Sequence, residues 1–140
     1  MSTSSQLVVT QFDHDRLTRL LDRLRREGAS RSATGADLLE DELENAAVVD
    51  PRSVSPTVVT MNSEVEVSSL DSSQATRVTV TFPGEASPKE GRISVLAPLG
   101  LALLGARVGD EITWSMPGGP RSLRVERMHF QPEAHGLFNL

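Results

Sequence analysis

Two hydrophobic periods divide the chain. Leu7-Val8-Val9 is a short apolar run that reads as an extended segment. Beyond it, Leu17, Leu20, Leu21 and Leu24 recur at i, i+3, i+4 and i+7, the stripe of an amphipathic helix. Asp13 is the expected N-cap and Gly28 the expected stop. Residues 28–36, GASRSATGA, are small and polar and read as a loop. A second helix is expected from about Asp37 to Val48, with Leu39, Leu43, Ala46 and Ala47 on its stripe and Leu38 at the edge. Asp50-Pro51 should close it. Two helices of similar length around a short loop predict an antiparallel helical hairpin, a short coiled coil.

After residue 57 the period changes to two. Val65 and Val67 share one face of a strand, and Val78 and Val80 share one face of the next, with Asp71-Ser72-Ser73-Gln74 as the turn. A Pro- and Gly-rich loop covers 83–92. Ile93, Val95 and Leu96 then read as a buried strand end, and Pro98 can only start a helix, because its fixed φ suits the first turn and its missing N–H is not needed there. Gly105 sits where a helix-ending glycine belongs. Gly109-Asp110 turns the chain into a strand at 111–116, and Pro117-Gly118-Gly119-Pro120 turns it into another at 121–130. The expected organisation is α+β: a helical hairpin over 1–50, a linker over 51–56, and an antiparallel sheet with one short helix over 57–140.

Charge refines this picture. The 140 residues carry a formal net charge of −5, which argues against a nucleic-acid surface as the main function. The sign is not uniform. Arg16, Arg19, Arg23 and Arg26 mark the first helix as basic, while Glu40, Asp41, Glu42 and Glu44 mark the second as acidic. These charges are expected to pair across the hairpin; the alternative is a charged docking face. There is no cysteine, hence no disulfide or thiolate metal site, and the three histidines are widely spread. No apolar run reaches membrane-spanning length, and the N-terminus lacks a secretion signal, so a cytoplasmic protein is expected. A monomer is favoured, because the helices can bury their stripes against each other.

No catalytic constellation emerges, and neither a cofactor nor an enzymatic activity is expected. No G-x-S-x-G surrounds any serine. A phosphate-cradling G-x-x-x-x-G-K-[ST] is absent, and Lys89 is the sole lysine. His129 reads as a structural or surface histidine. Trp114 and Phe82 are the only aromatic residues within the sheet pattern before the last strand, too few to wall a prolyl-isomerase pocket.

The run Ile93-Ser94-Val95-Leu96-Ala97-Pro98-Leu99-Gly100-Leu101-Ala102-Leu103-Leu104-Gly105, followed by a Gly-Asp turn and a Pro-Gly-Gly hairpin, resembles the C-terminal domain of the bacterial Gre transcript-cleavage factors. Val59-Thr60-Met61-Asn62-Ser63, Leu96-Ala97-Pro98 and Gln131-Pro132-Glu133-Ala134 look closest to the Rnk-type branch, regulators of nucleoside diphosphate kinase. The resemblance implies an FKBP-like C-terminal fold. It also implies RNA polymerase as partner, met at the rim helices of its largest subunit near the secondary channel. The contact residues would be Leu96, Ala97, Pro98 and Leu99. The family as a whole is associated with DNA; direct sequence-specific reading is not expected here.

Gre factors hold a catalytic Mg²⁺ with an acidic pair at the hairpin tip, since a hard cation prefers oxygen ligands. Here residues 28–36 contain Arg31 and no carboxylate, with Glu27 and Asp37 only flanking them. Helices of about 13 residues span roughly 20 Å, about half the family's hairpin. The expected function is therefore non-enzymatic transcription regulation without transcript cleavage, with any effect on nucleoside diphosphate kinase indirect. The other reading is an FKBP-like interaction module with a non-polymerase partner.

Overall fold

A computed structural model describes residues 7–27, 33–70, 74–116 and 118–137. The expected turns at 71–73 and Pro117, and most of the loop between the helices, lie outside the described residues.

The chain opens with β1 (Val8–Thr10), α1 (Gln11–Arg26), α2 (Ala33–Glu44) and β2 (Ala47–Val49). The N-cap of α1 is Thr10, not Asp13: the Thr10 hydroxyl accepts the Asp13 N–H at 3.0 Å. Asp13 sits in the first turn and is buried. The second helix also departs from expectation. It ends at Glu44, and Ala47–Val49 pair in parallel with Val8–Thr10. The long-range ladder to β1 captures Ala47 and the β-branched Val48, which local periodicity assigns to the helix, together with Val49.

The rest forms β3 (Glu64–Ser69), β4 (Ala75–Thr81), β5 (Arg92–Ser94), α3 (Pro98–Leu103), β6 (Glu111–Met116) and β7 (Gly119–Phe130). The sheet order is β5-β4-β3-β7-β6. It is mixed rather than antiparallel, because β4 and β5 run parallel. The connection between them holds two 3-10 turns, Pro83–Glu85 and Pro88–Glu90, and carries the chain back to the same end of the sheet.

Alternation works as expected on the covered face. Val65 lies opposite Val78, and Val67 opposite Val125. These valines join Leu17, Leu20 and Leu21 of α1, Leu39 and Leu43 of α2, and Leu103 of α3 in one buried cluster. The helices therefore do not bury their stripes only against each other, as a free-standing coiled coil would. The other face carries Glu66, which meets His129 Nε2 at 2.9 Å, and a Glu111–Arg124 pair at 2.5 Å. The His129 hydrogen bond holds the Glu66 carboxyl below its ordinary value, with Arg127 adding to the effect.

Among the described residues, none of Arg16, Arg19, Arg23 and Arg26 makes the expected cross-helix pair; Arg25 makes one instead, bonding Glu40 and also Asp22. Arg16 instead bonds Asp13 at 2.6 Å and lies between the Phe12 and Phe82 rings, 4.4 and 4.8 Å from their centroids.

Candidate docking surface around Pro98

The surface begins with a tight exit from β5. Val95 is fully buried, and its N–H donates to Thr81 O at 2.8 Å. Ser94 then closes a turn twice: its Oγ accepts the Leu96 N–H at 3.0 Å, and its carbonyl accepts the Ala97 N–H at 3.0 Å. Ala97 is the N-cap and Pro98 the first residue of α3. Underneath, Leu103 is fully buried and anchors the helix. Gly105, at φ +82°, ends it, as its position in the sequence predicts.

This framework treats the four expected contact residues differently. Pro98 is exposed. Leu96, Ala97 and Leu99 are half-buried, and Leu96 and Leu99 pack against the core. Leu96 and Pro98 share the wall of a groove of about 920 Å³, whereas Ala97 and Leu99 do not line it. Leu38 of α2, Leu101 of α3 and Trp114 of β6 are among the apolar residues that line the groove with Leu96 and Pro98, and Glu42, Arg107 and Asp110 are among the polar ones. Asp110 Oδ2 is occupied by the Arg107 N–H at 2.9 Å. The buried Trp114 Nε1–H has no partner among the described residues.

Two contributors from α2 escape the sequence reading. Leu38 is 50% exposed, a large apolar side chain turned away from its helix's buried stripe. Its place at the edge of that stripe was the available signal. Gly35 approaches so closely that a Cβ there would collide with the Leu96 carbonyl oxygen. α2 is thus packed directly on the loop that presents Pro98.

The motifs that pointed to the Rnk-type branch prove to be joints. Met61 is fully buried, and its N–H donates to Asp13 Oδ2 at 3.0 Å. Asn62 beside it takes a left-handed φ of 67°. Thr60 Oγ1 donates to Glu133 Oε1 at 2.7 Å. Gln131 Nε2 donates to Ser55 O and Val58 O at 2.8 and 2.7 Å. The last turn, the 59–63 loop and α1 are therefore tied together. Burial raises the Asp13 carboxyl above its ordinary value, against the hydrogen bonds from Arg16 and Met61. Burial likewise raises Glu133, and the nearby Asp13 charge adds to it, against the Thr60 hydrogen bond. Among the described residues no three His, Cys, Asp or Glu side chains gather as a metal site.

Comparison with known proteins agrees with this anatomy. The model of the GreA/GreB transcription elongation factor C-terminal domain matches residues 54–129, and that of the Rnk N-terminus matches residues 6–49. The chain belongs to the GreA/GreB family. The two matches meet near the short turn after β2, so the β1-α1-α2-β2 unit corresponds to the Rnk-type part. The regulator of nucleoside diphosphate kinase of Escherichia coli K12 is 36% identical over 135 residues, 96% of each chain. The transcription elongation factor GreA of Rhodospirillum rubrum is 38% identical over 92 residues, 66% of this chain and 59% of that protein. Among solved structures, a prokaryotic transcription elongation factor GreA/GreB from Nitrosomonas europaea is 38% identical, with a TM-score of 0.74 over 89% of this chain and 99% of that one. Among the described residues, no helix is long and apolar enough to cross a membrane.

Proposed function

We propose that this chain is a non-enzymatic, cytoplasmic regulator of transcription that binds RNA polymerase near its secondary channel as a monomer. The observation that carries the reading is the presentation of Pro98. An exposed, rigid helix start stands on the wall of an apolar groove, within the run that matches the Gre C-terminal domain. Leu96 and Pro98 would face the polymerase, while Ala97 and Leu99 would hold the presenting turn. The 1–50 segment would act as a short helical hairpin beside the FKBP-like 57–140 domain.

Transcript cleavage is not part of the proposal. α1 has 16 residues and α2 has 12. At 1.5 Å per residue they reach only about 24 and 18 Å. Both also put their stripes into the core with the sheet, which shortens what projects. The chain would occupy the channel mouth and exclude true Gre factors, and any change in nucleoside diphosphate kinase would follow from altered transcription.

The test is competition with an authentic Gre factor in a cleavage assay on backtracked RNA, alongside a pull-down with core polymerase. Dose-dependent inhibition without intrinsic cleavage is expected. Failure to bind core polymerase at micromolar protein would refute the reading. The Trp114 groove favours a second reading in that case, a protein-interaction module for a non-polymerase partner.

A further inference from the structure

The opposite side of α1 forms a second groove, of about 740 Å³, between the helix and the β4–β5 edge. Its floor is Leu20, Thr81 and Phe82. Its walls carry Arg16, Arg19 and Arg23 from α1 and Arg92 from β5, facing one carboxylate, Glu85. Arg16, Arg19 and Arg23 are spaced i, i+3 and i+7, so a single helix face supplies three guanidinium groups. Arg19, Arg23 and Arg92 are exposed, and their side chains form no ion pair or hydrogen bond among the described residues. Arg16 is held by Asp13 and by two phenyl rings, and its buried Nε–H has no partner among the described residues. The buried, unpaired Arg16 Nε–H carries a desolvation cost, and the three exposed guanidinium groups beside it repel one another, a repulsion that a bound anion relieves.

The shape and the overall charge restrict that anion. The volume is that of a small-molecule site. A net charge of −5 repels a long polyanion, whereas a compact one meets the local field of four arginines, offset in part by Glu85 and by the Asp13 paired with Arg16. Guanidinium groups engage phosphate oxygens two at a time, and cations from two facing walls suit more than one phosphate. We propose that this groove binds a pyrophosphate group, either free or carried by a small molecule such as a nucleotide. Arg19, Arg23 and Arg92 clamp the phosphates from the two walls, and Arg16 supplies a fixed donor at the base.

Calorimetric titration at low ionic strength tests this on the full chain, with inorganic pyrophosphate, a nucleoside diphosphate and a short single-stranded RNA as probes. The parent should bind pyrophosphate saturably at one site. The double variant Arg19→Ala/Arg23→Ala should lose at least about tenfold in affinity. Arg26→Ala, an exposed change on the same helix outside the groove, should lose nothing. Glu85→Gln, which removes the opposing carboxylate, should tighten binding. Equal affinity for both small probes would identify the phosphates as the recognised chemistry; a tighter nucleoside diphosphate would place its base on the Leu20–Phe82 floor. Absence of saturable binding at millimolar probe would overturn the proposal. So would equal loss in Arg26→Ala, or RNA binding more tightly than either small probe.

Discussion

Asp13 accepts the backbone N–H of Met61 at 3.0 Å, across 48 residues of sequence. One carboxylate thereby joins the first turn of α1 to the loop that leads into the sheet. Its other oxygen takes Arg16 at 2.6 Å. Replacing Asp13 by Ala leaves a buried N–H and a guanidinium without their acceptor. The expected loss is about 1–3 kcal/mol. Urea unfolding measures it; an unchanged midpoint would mean that α1 is held without this bond.

The same joint sets a pH dependence. Asp13 and Glu133 both have carboxyls raised by burial. A raised folded-state value means that the folded chain binds protons more tightly than the unfolded chain. The stability linked to these two groups is therefore fully present below their ordinary values and is lost as pH rises through the raised folded values. Glu66 acts oppositely: its lowered carboxyl contributes above the ordinary value and is lost on acidification. Removing the titration of Glu133 should remove its share of the loss on rising pH. Melting temperature followed across the acid range should fall with rising pH less steeply in Glu133→Gln than in the parent. Superimposable profiles would contradict the assignment.

Leu21 and Leu43 are 6% and 5% exposed, one on each helix, in the cluster shared with the sheet. Leu21→Ala should cost about 2–4 kcal/mol, the range for a buried leucine whose site cannot fully collapse. A loss below about 0.5 kcal/mol in a urea melt would show that the helices contribute little to the core.

What was legible in the sequence was local. The leucine stripe of α1, the Pro98 start and Gly105 stop of α3, and the paired valines of β3 and β4 each follow from backbone chemistry within a few residues. What was not legible depended on distant partners. Ala47–Val49 turn extended because β1 lies beside them, and β5 runs parallel because its crossover returns it to the same end of the sheet. The site divides similarly. Pro98 could be found from its own position, but Leu38 and Gly35 join it only because α2 packs on the Leu96 loop. Arginines expected to pair across the hairpin line a groove wall instead, with Phe82 placed against Arg16.

That packing makes Gly35 a separate test of the docking surface. A Cβ at residue 35 meets the Leu96 backbone rather than a flexible side chain, so one of the two must move. Gly35→Ala should lower stability and also weaken polymerase binding, through displacement of the loop. Weakened stability with parental binding would show that the Leu96 turn keeps its position without α2.

Pro98→Ala separates docking from folding more cleanly. Pro98 is exposed, and the buried anchors of its helix, Gly100 and Leu103, are untouched by the change. Proline at the first helical position forfeits no helix hydrogen bond, and its ring limits the chain's freedom before binding. Alanine keeps the helix but removes the ring from the groove wall shared with Leu96, Leu38 and Trp114. Melting temperature should therefore change little while affinity for core polymerase falls several-fold, the loss expected when a well-placed apolar contact is truncated. The groove also offers a direct readout, because Trp114 is the only tryptophan in the chain. Its emission should shift on polymerase binding when measured with polymerase prepared from tryptophan analogues that leave its own signal separate. Parental affinity in Pro98→Ala together with an unmoved Trp114 signal would place the interface on another face of the molecule.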